Sequence, residues 1–104
     1  MIIYENSEVK TFRIAVLGGD GIGPEVMAEA VKVLRSVENR LDGLRFELRE
    51  FPCGAGEYLC HGDPLPADTM AACETSDAIL LGAMGLPAVR WPDGTEMAPQ
   101  LDLR

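Results

Sequence analysis

The stretch from Arg13 to Leu34, RIAVLGGDGIGPEVMAEAVKVL, decides the fold. Its first part, Arg13–Leu17, is almost continuously apolar, which is typical of a strand covered on both faces in a parallel sheet. A glycine-dense turn follows. Pro24 then suits the first position of a helix, because its φ is fixed and it has no N–H to leave unpaired. The stretch therefore predicts a strand, a tight turn and a helix, which is the first half of a βαβ unit.

The predicted helix has one apolar face and ends near Asn39–Gly43. Its apolar residues recur at helical spacing, at Val26, Ala30, Leu34, Val37 and Leu41. This spacing predicts that these side chains share one face and pack on the sheet.

The turn contains Gly19, Gly21 and Gly23 in the pattern G-x-G-x-G. The dinucleotide-binding fingerprint is G-x-G-x-x-G/A, and its third position here falls on Pro24. Glu25 would also repel a pyrophosphate at the N-terminus of the helix. The spacing alone therefore favours a tight turn that needs glycine for positive φ, and predicts positive φ in at least one of the three.

The remaining chain predicts further α/β elements. Arg45–Phe51 alternates between polar and apolar residues, which indicates a strand near the sheet edge. A helical turn is expected within Gly54–Cys60, and a short helix over Asp68–Glu74. Ala78–Ala83 is a second apolar strand, expected to pair in parallel with the first. A last helix begins at Gln100.

Composition limits the function classes. The chain has 104 residues, a net charge of −8 and a hydrophobic fraction of 47%, so one domain with a modest core is expected. The negative charge argues against nucleic acid or an anionic membrane as partner. No apolar run approaches the roughly 20 residues of a membrane span. Residues 1–11 are predicted to be a flexible leader, and residues 12–104 a partial N-terminal α/β domain.

The three cysteines, Cys53, Cys60 and Cys73, show no C-x-x-C spacing. Reduced thiols in a cytoplasmic protein are therefore expected. Cys60 stands beside the only histidine, His61, which leaves open a nucleophile with its base or a corner of a zinc site. Further ligands are missing, and neighbouring side chains usually point apart, so both alternatives are disfavoured.

Two separated stretches resemble one enzyme family. GGDGIGPEV, at residues 18–26, resembles the N-terminal signature of the NAD-dependent β-decarboxylating dehydrogenases, which act on isopropylmalate, isocitrate, tartrate or D-malate. Gly18 stands where that family usually has proline. DAILLGAMG at Asp77–Gly85, followed by Pro87, Trp91 and the LDLR ending, resembles the family's later strand and the loop after it.

The resemblance implies a three-layer α/β fold with a mainly parallel sheet, of which this chain is the N-terminal part. It implies an NAD- and Mg²⁺- or Mn²⁺-dependent oxidative decarboxylase of a 2-hydroxy diacid, homodimeric in its full length and of the isopropylmalate or tartrate type. The family's catalytic tyrosine and lysine and its metal-binding aspartates have no match here. The chain is therefore expected to carry no catalytic or metal-binding residue and to be inactive alone.

The resemblance also assigns three binding residues. Ile22 matches an apolar residue near the nicotinamide ribose, the alternative being a hydrophobic plug beneath the turn. Glu96 lies near the family's acidic residue of the nicotinamide pocket, the alternative being a solvated loop carboxylate. Arg104 matches the first arginine that binds the substrate carboxylates. Trp91 either shapes the same loop or covers the sheet edge.

Two other function classes remain open from the residues. A small nucleotide-binding module would bind AMP or NAD by itself, and a non-catalytic interaction domain would bind neither. In each case, the two apolar parallel strands need cover on both faces, but the chain supplies only one long and one short helix. We therefore expect exposed apolar surface and an unpaired strand edge.

Overall fold

The structure, a computed structural model, describes residues 9–103. The chain folds as an α/β unit with three parallel strands in the order β2-β1-β3. The elements in chain order are β1 (Lys10–Gly19), α1 (Gly23–Arg40), β2 (Leu44–Glu50), α2 (Ala55–His61), α3 (Ala67–Thr75), β3 (Ala78–Ala83) and α4 (Pro99–Asp102). The predicted α/β class, the parallel pairing of β3 with β1, and the edge position of β2 are confirmed.

The core lies on both faces of the central strand β1. Because successive residues of a strand point to opposite faces, Ile14 and Val16 pack on one side with Met27 of α1. Ala15 and Leu17 pack on the other side with Cys53 and Cys73, the latter from α3. Val16 and Leu17 are almost fully buried. The helices on the two faces make three layers, as expected for a parallel sheet.

The first strand is longer than predicted. Lys10 and Thr11 belong to β1 and pair with Leu44 and Arg45 of β2, so they do not belong to a leader. Polar residues are tolerated at this end because backbone pairing with β2 holds the strand while their side chains face solvent. The rest of the predicted leader, residues 1–8, lies outside the described residues.

The buried face of α1 is also rotated from the predicted one. Val26 and Leu41 are 50% and 53% exposed, whereas Met27 is buried and Ala30 and Leu34 pack beside it. In a helix with 3.6 residues per turn, Val26 lies at the margin of the stripe that contains Ala30 and Leu34. Leu41 lies beyond the last residue of α1. The stripe from Gly23 through Met27 and Ala30 to Leu34, with spacings of four, three and four, stays over the sheet.

The third strand is the second edge of the sheet rather than a strand covered on both faces. Ile79 and Leu81 are 36% and 40% exposed. Within residues 9–103, β3 pairs with β1 alone. The predicted exposed apolar surface and open strand edge are therefore present in the described part of the chain. None of the helices formed by residues 9–103 has the length and apolar character needed to cross a bilayer.

Candidate functional site

The glycine turn after β1 packs directly against the end of β3. The Asp20 N–H donates a hydrogen bond to the Ala83 carbonyl oxygen at 2.6 Å. Gly19 and Gly21 have φ of 81° and 56°, which confirms the predicted positive φ. A Cβ on Gly19 would overlap that same Ala83 oxygen, and one on Gly23 would overlap the Gly18 oxygen. Glycine is therefore needed to let the turn approach neighbouring backbone oxygens closely, as well as to allow positive φ.

This contact places the turn and the loop after β3 at the carboxyl ends of two adjacent parallel strands. Ligands of open α/β sheets bind outside these strand ends. The geometry therefore marks the turn and the loop as the walls of the candidate site.

Asp20 joins these walls by hydrogen bonds, a role that the sequence did not indicate. Its side chain is buried, and Oδ2 accepts hydrogen bonds from the backbone N–H groups of Ala55 at 2.7 Å and Gly85 at 2.8 Å. Oδ1 accepts a third from the N–H of Gly56 at 2.8 Å. The one available signal was that α2 begins after Gly54, a residue without a side chain to cap the helix.

Ile22 lies on the solvent side of the turn. Its side chain is 63% exposed, so the alternative of a plug beneath the turn is wrong. An exposed apolar side chain at the end of a parallel sheet is free to contact a ligand. Contact with a nicotinamide ribose stays a prediction.

Glu96 lies on the loop after β3 and forms an exposed ion pair. Its Oε1 is 3.2 Å from Nη2 of Arg90, and the two residues form an antiparallel bridge across the loop. The same guanidinium donates to the carbonyl oxygen of Gly94 at 3.1 Å. The loop carboxylate is therefore solvated and held by Arg90, and its place in a nicotinamide pocket stays a prediction.

A small cavity of about 210 Å³ lies between the two ends of this loop, lined in part by Met84, Gly85 and Glu96. Gln100 at the start of α4 also lines it. Its Oε1 is buried without a hydrogen-bond partner among the described residues. Arg104, the predicted ligand of a substrate carboxylate, lies outside the described residues.

Trp91 connects the loop to α2. Its ring packs on Tyr58 with centroids 5.2 Å apart and an interplanar angle of 68°, an edge-to-face arrangement that aromatic pairs favour. This contact supports the interpretation that Trp91 shapes the loop.

A larger cleft of about 680 Å³ opens between α1 and α2. Three carboxylate residues, Asp20, Glu50 and Glu57, line it together with apolar groups such as Met27. Like charge disfavours a dianionic substrate there. The cleft is therefore a poor candidate for the site of a diacid.

The cysteine alternatives find no support in the described residues. Cys60 is exposed, and the Nδ1 of neighbouring His61 pairs with Oε2 of Glu57 at 2.9 Å. Between residues 9 and 103, no three His, Cys, Asp or Glu side chains are arranged to hold a metal ion. Burial raises the pKa of the Cys53 thiol to about 11, and burial also raises the pKa of Cys73.

Comparison with known proteins identifies similar chains. The family model described as isocitrate/isopropylmalate dehydrogenase matches residues 13–104. The 3-isopropylmalate dehydrogenase of Yersinia pestis is 54% identical over 78 residues, which is 75% of this chain and 21% of that protein. The 3-isopropylmalate dehydrogenase of Sodalis glossinidius is 46% identical over 96 residues, covering 86% of this chain and 26% of that protein.

The fold has a solved counterpart. The crystal structure of a β-decarboxylating dehydrogenase from Thermococcus kodakarensis in its apo form superposes with a TM-score of 0.67 at 39% identity, over 89% of this chain and 26% of that chain. This chain spans about a fifth to a quarter of the length of the curated relatives it matches.

Proposed function

The chain belongs to the isocitrate/isopropylmalate dehydrogenase family, and from that membership we propose that it forms the N-terminal portion of an NAD-dependent oxidative decarboxylase of a 2-hydroxy diacid. The match over residues 13–104 carries this proposal, because it includes both walls of the candidate site. We favour 3-isopropylmalate as substrate, since the relatives from Yersinia pestis and Sodalis glossinidius are 3-isopropylmalate dehydrogenases. Tartrate and malate are the alternatives within the same chemistry.

Each binding residue has a stated role in this proposal. Ile22 contacts the nicotinamide ribose with its exposed side chain, and Glu96 contributes the acidic group of the nicotinamide pocket. Arg104 holds one substrate carboxylate, because its planar guanidinium matches the two oxygens. Bound NAD would accept the hydride from the substrate's hydroxyl-bearing carbon.

We assign no step to a metal ion on this chain. Mg²⁺ or Mn²⁺ prefers several oxygen ligands, and residues 9–103 bring no three acidic, His or Cys side chains together for one. We propose that the metal ligands and the proton-transferring tyrosine and lysine belong to residues that this chain does not contain. As further parts of the proposal, the whole enzyme is cytoplasmic, homodimeric and active in leucine biosynthesis, and this chain alone is inactive.

A chimeric enzyme tests the proposal. The matching region of the Yersinia pestis 3-isopropylmalate dehydrogenase is replaced by this chain's residues, and NADH formation is measured with 3-isopropylmalate, tartrate and malate. We expect turnover of 3-isopropylmalate by the chimera and none by the 104-residue chain. A folded but inactive chimera would refute the proposal, and turnover by the short chain would refute its inactivity.

The role of Arg104 is tested in the same chimera. Arg104→Lys should lower kcat/KM about 10- to 100-fold, because a lysine cannot form the paired hydrogen bonds of a guanidinium with a carboxylate. Arg40→Lys, an equal change at the exposed end of α1, is the control and should leave kcat/KM unchanged. Equal activity of the two variants would remove Arg104 from the substrate site.

A further inference from the structure

We propose that Asp20 is a positioning residue that helps to fix the loop after β3, and with it Glu96, the proposed NAD-binding group that the loop carries. The role of the loop rests on the proposed function. The hydrogen bonds of Asp20 do not, and they are measurable separately.

The surroundings of Asp20 are built to accept a carboxylate. Both oxygens are used, and all three of their donors are backbone N–H groups at 2.7 to 2.8 Å. Hydrogen bonds to an ionised acceptor are about twice as strong as neutral ones. A Cβ on Gly54 would come within 2.5 Å of Oδ2, and one on Gly56 within 3.3 Å of Oδ1. Glycine at these two positions therefore leaves room for the carboxylate.

Two connections of the loop to the rest of the chain involve Asp20. The first is direct, because Gly85 is the second residue of the loop and donates its N–H to Oδ2. The second is indirect, because Trp91 packs on Tyr58, and Tyr58 lies on α2, whose first residues donate to the same carboxylate. Loss of these bonds would weaken both of these connections at once and leave the packing of Met84 on the core as a further contact of the loop.

The contact that remains within the loop does not replace them. The ion pair between Arg90 and Glu96 joins two loop residues that are largely exposed. It fixes the shape of the loop tip but not its place over the sheet. The distance of Glu96 from Ile22 at the turn therefore depends in part on Asp20.

Replacing Asp20 by asparagine distinguishes the positioning of the loop from a general contribution to the stability of the fold. Its one carbonyl oxygen can replace Oδ2 and keep the bonds from Ala55 and Gly85. Its NH₂ group then faces the Gly56 N–H, and two donors cannot pair. Asp20→Asn should therefore release Gly56 alone, whereas Asp20→Ala should release Ala55, Gly56 and Gly85.

Amide hydrogen exchange, followed by NMR on the 104-residue chain, tests this pattern. In Asp20→Asn we expect at least a tenfold loss of protection at Gly56 and roughly unchanged protection at Gly85 and at Leu17 in the core. Asp20→Ala should lose protection at Gly85 as well. Asp42→Asn, the same change at an exposed turn, is the control and should alter none of these amides.

Several results would overturn the proposal. Unchanged protection of Gly85 in Asp20→Ala would do so, as would unprotected Gly56 and Gly85 amides in the unaltered chain. If Asp20→Ala fails to fold, Asp20→Asn decides, and a uniform loss across Leu17, Gly56 and Gly85 would reduce Asp20 to a general stabilising residue.

The enzymatic consequence is measured in the chimera described above. Displacement of binding groups by about an ångström can cost on the order of 100-fold in rate. Asp20→Ala should therefore raise KM for NAD and 3-isopropylmalate, or lower kcat, by about 10- to 100-fold per folded enzyme, with partial recovery in Asp20→Asn. A loss of amide protection at Gly56 and Gly85 with no change in KM or kcat would overturn the positioning role. An inactive chimera with Asp20 intact would instead refute the proposed function.

Discussion

Gly18 and Gly19 are adjacent in β1, but their surroundings differ. Gly19 has φ of 81°, and an added Cβ would overlap the Ala83 oxygen. A Cβ on Gly18 would meet Pro24 at 3.6 Å, which is ordinary contact. The absence at Gly18 of the proline usual in the family is therefore compatible with the fold.

This difference predicts opposite effects of the same substitution. Gly19→Ala should destabilise the chain by more than about 1 kcal/mol, because positive φ and the overlap both disfavour a side chain. Gly18→Ala should be neutral or stabilising by up to about 1 kcal/mol, since alanine restricts the unfolded chain. Urea unfolding measured by circular dichroism gives both values, and equal midpoints for the two variants would contradict the described turn.

The three thiols should differ sharply in reactivity. Because the thiolate is the reactive form, burial that raises the pKa of Cys53 to about 11 should leave it unreactive at mildly alkaline pH. Cys73 is also buried with a raised pKa, whereas Cys60 is exposed. Iodoacetamide should therefore label one site in the folded chain and three in urea, as counted by mass spectrometry. Rapid labelling of Cys53 without denaturant would contradict its burial.

For single residues, the sequence predicted the backbone conformation of the turn but not the role of Asp20. Positive φ follows from local glycine density, which can be read from neighbouring residues. The partners of Asp20 are 35 to 65 residues away, and a single aspartate carries no mark of such distant contacts. The exposure of Ile22 cannot be read from the sequence for the same reason, because it depends on how the turn meets β3.

For the secondary-structure elements, the pattern of residue types predicted the positions of the strands better than it predicted which face of a helix is buried. The bounds of β3, Ala78–Ala83, agree with the prediction, because an apolar run between turn residues is a local signal. The buried face of α1 is shifted from the predicted one towards Met27, because helical spacing alone is compatible with several overlapping stripes. Packing against β1 determines that Met27, rather than Val26, is the buried side chain.

The end of α1 is fastened to β2 by a charged cluster. Oε2 of Glu38 accepts the Phe46 N–H at 2.5 Å, and Oε1 accepts from the Arg35 guanidinium at 2.8 Å. The Phe46 N–H and then the Arg35 guanidinium lower the pKa of Glu38 below its ordinary value of 4.5. A lowered folded-state pKa means that the ionised group stabilises the fold above the unfolded value, and that this stabilisation is lost as pH falls through the folded value.

Glu38→Gln should therefore lower the urea midpoint at neutral pH, because Phe46 and Arg35 donate to different oxygens and the NH₂ group of glutamine cannot replace either one as an acceptor. The difference from the unaltered chain should vanish at a pH well below 4.5, where Glu38 is itself protonated. Glu29→Gln is the control, since Glu29 pairs only with exposed Lys32, and should leave the midpoint unchanged. A deficit of Glu38→Gln that persists in acid would contradict the proposed charge dependence.

Over the whole molecule, the two edges of the sheet are built differently. The exposed positions of β2 include Arg45, Glu47 and Arg49, and charged side chains on an edge discourage pairing with other chains. β3 reads Ala-Ile-Leu-Leu-Gly-Ala, with no charge and no proline. Such a strand is a template for association when its edge is open.

This asymmetry predicts that the isolated chain associates through β3 or is only marginally stable, in spite of its net charge of −8. Leu81, which is 40% exposed on that strand, is the residue to change. Leu81→Lys should reduce concentration-dependent association, because a lysine on the edge strand must be desolvated for another strand to pair. Val33→Lys adds the same charge at a 63% exposed position on α1 and should leave association unchanged. Sedimentation velocity over a range of concentrations measures both. Equal suppression by the two variants would show that net charge alone sets the association, and a monomer that melts cooperatively at about 45–65 °C would contradict the prediction entirely.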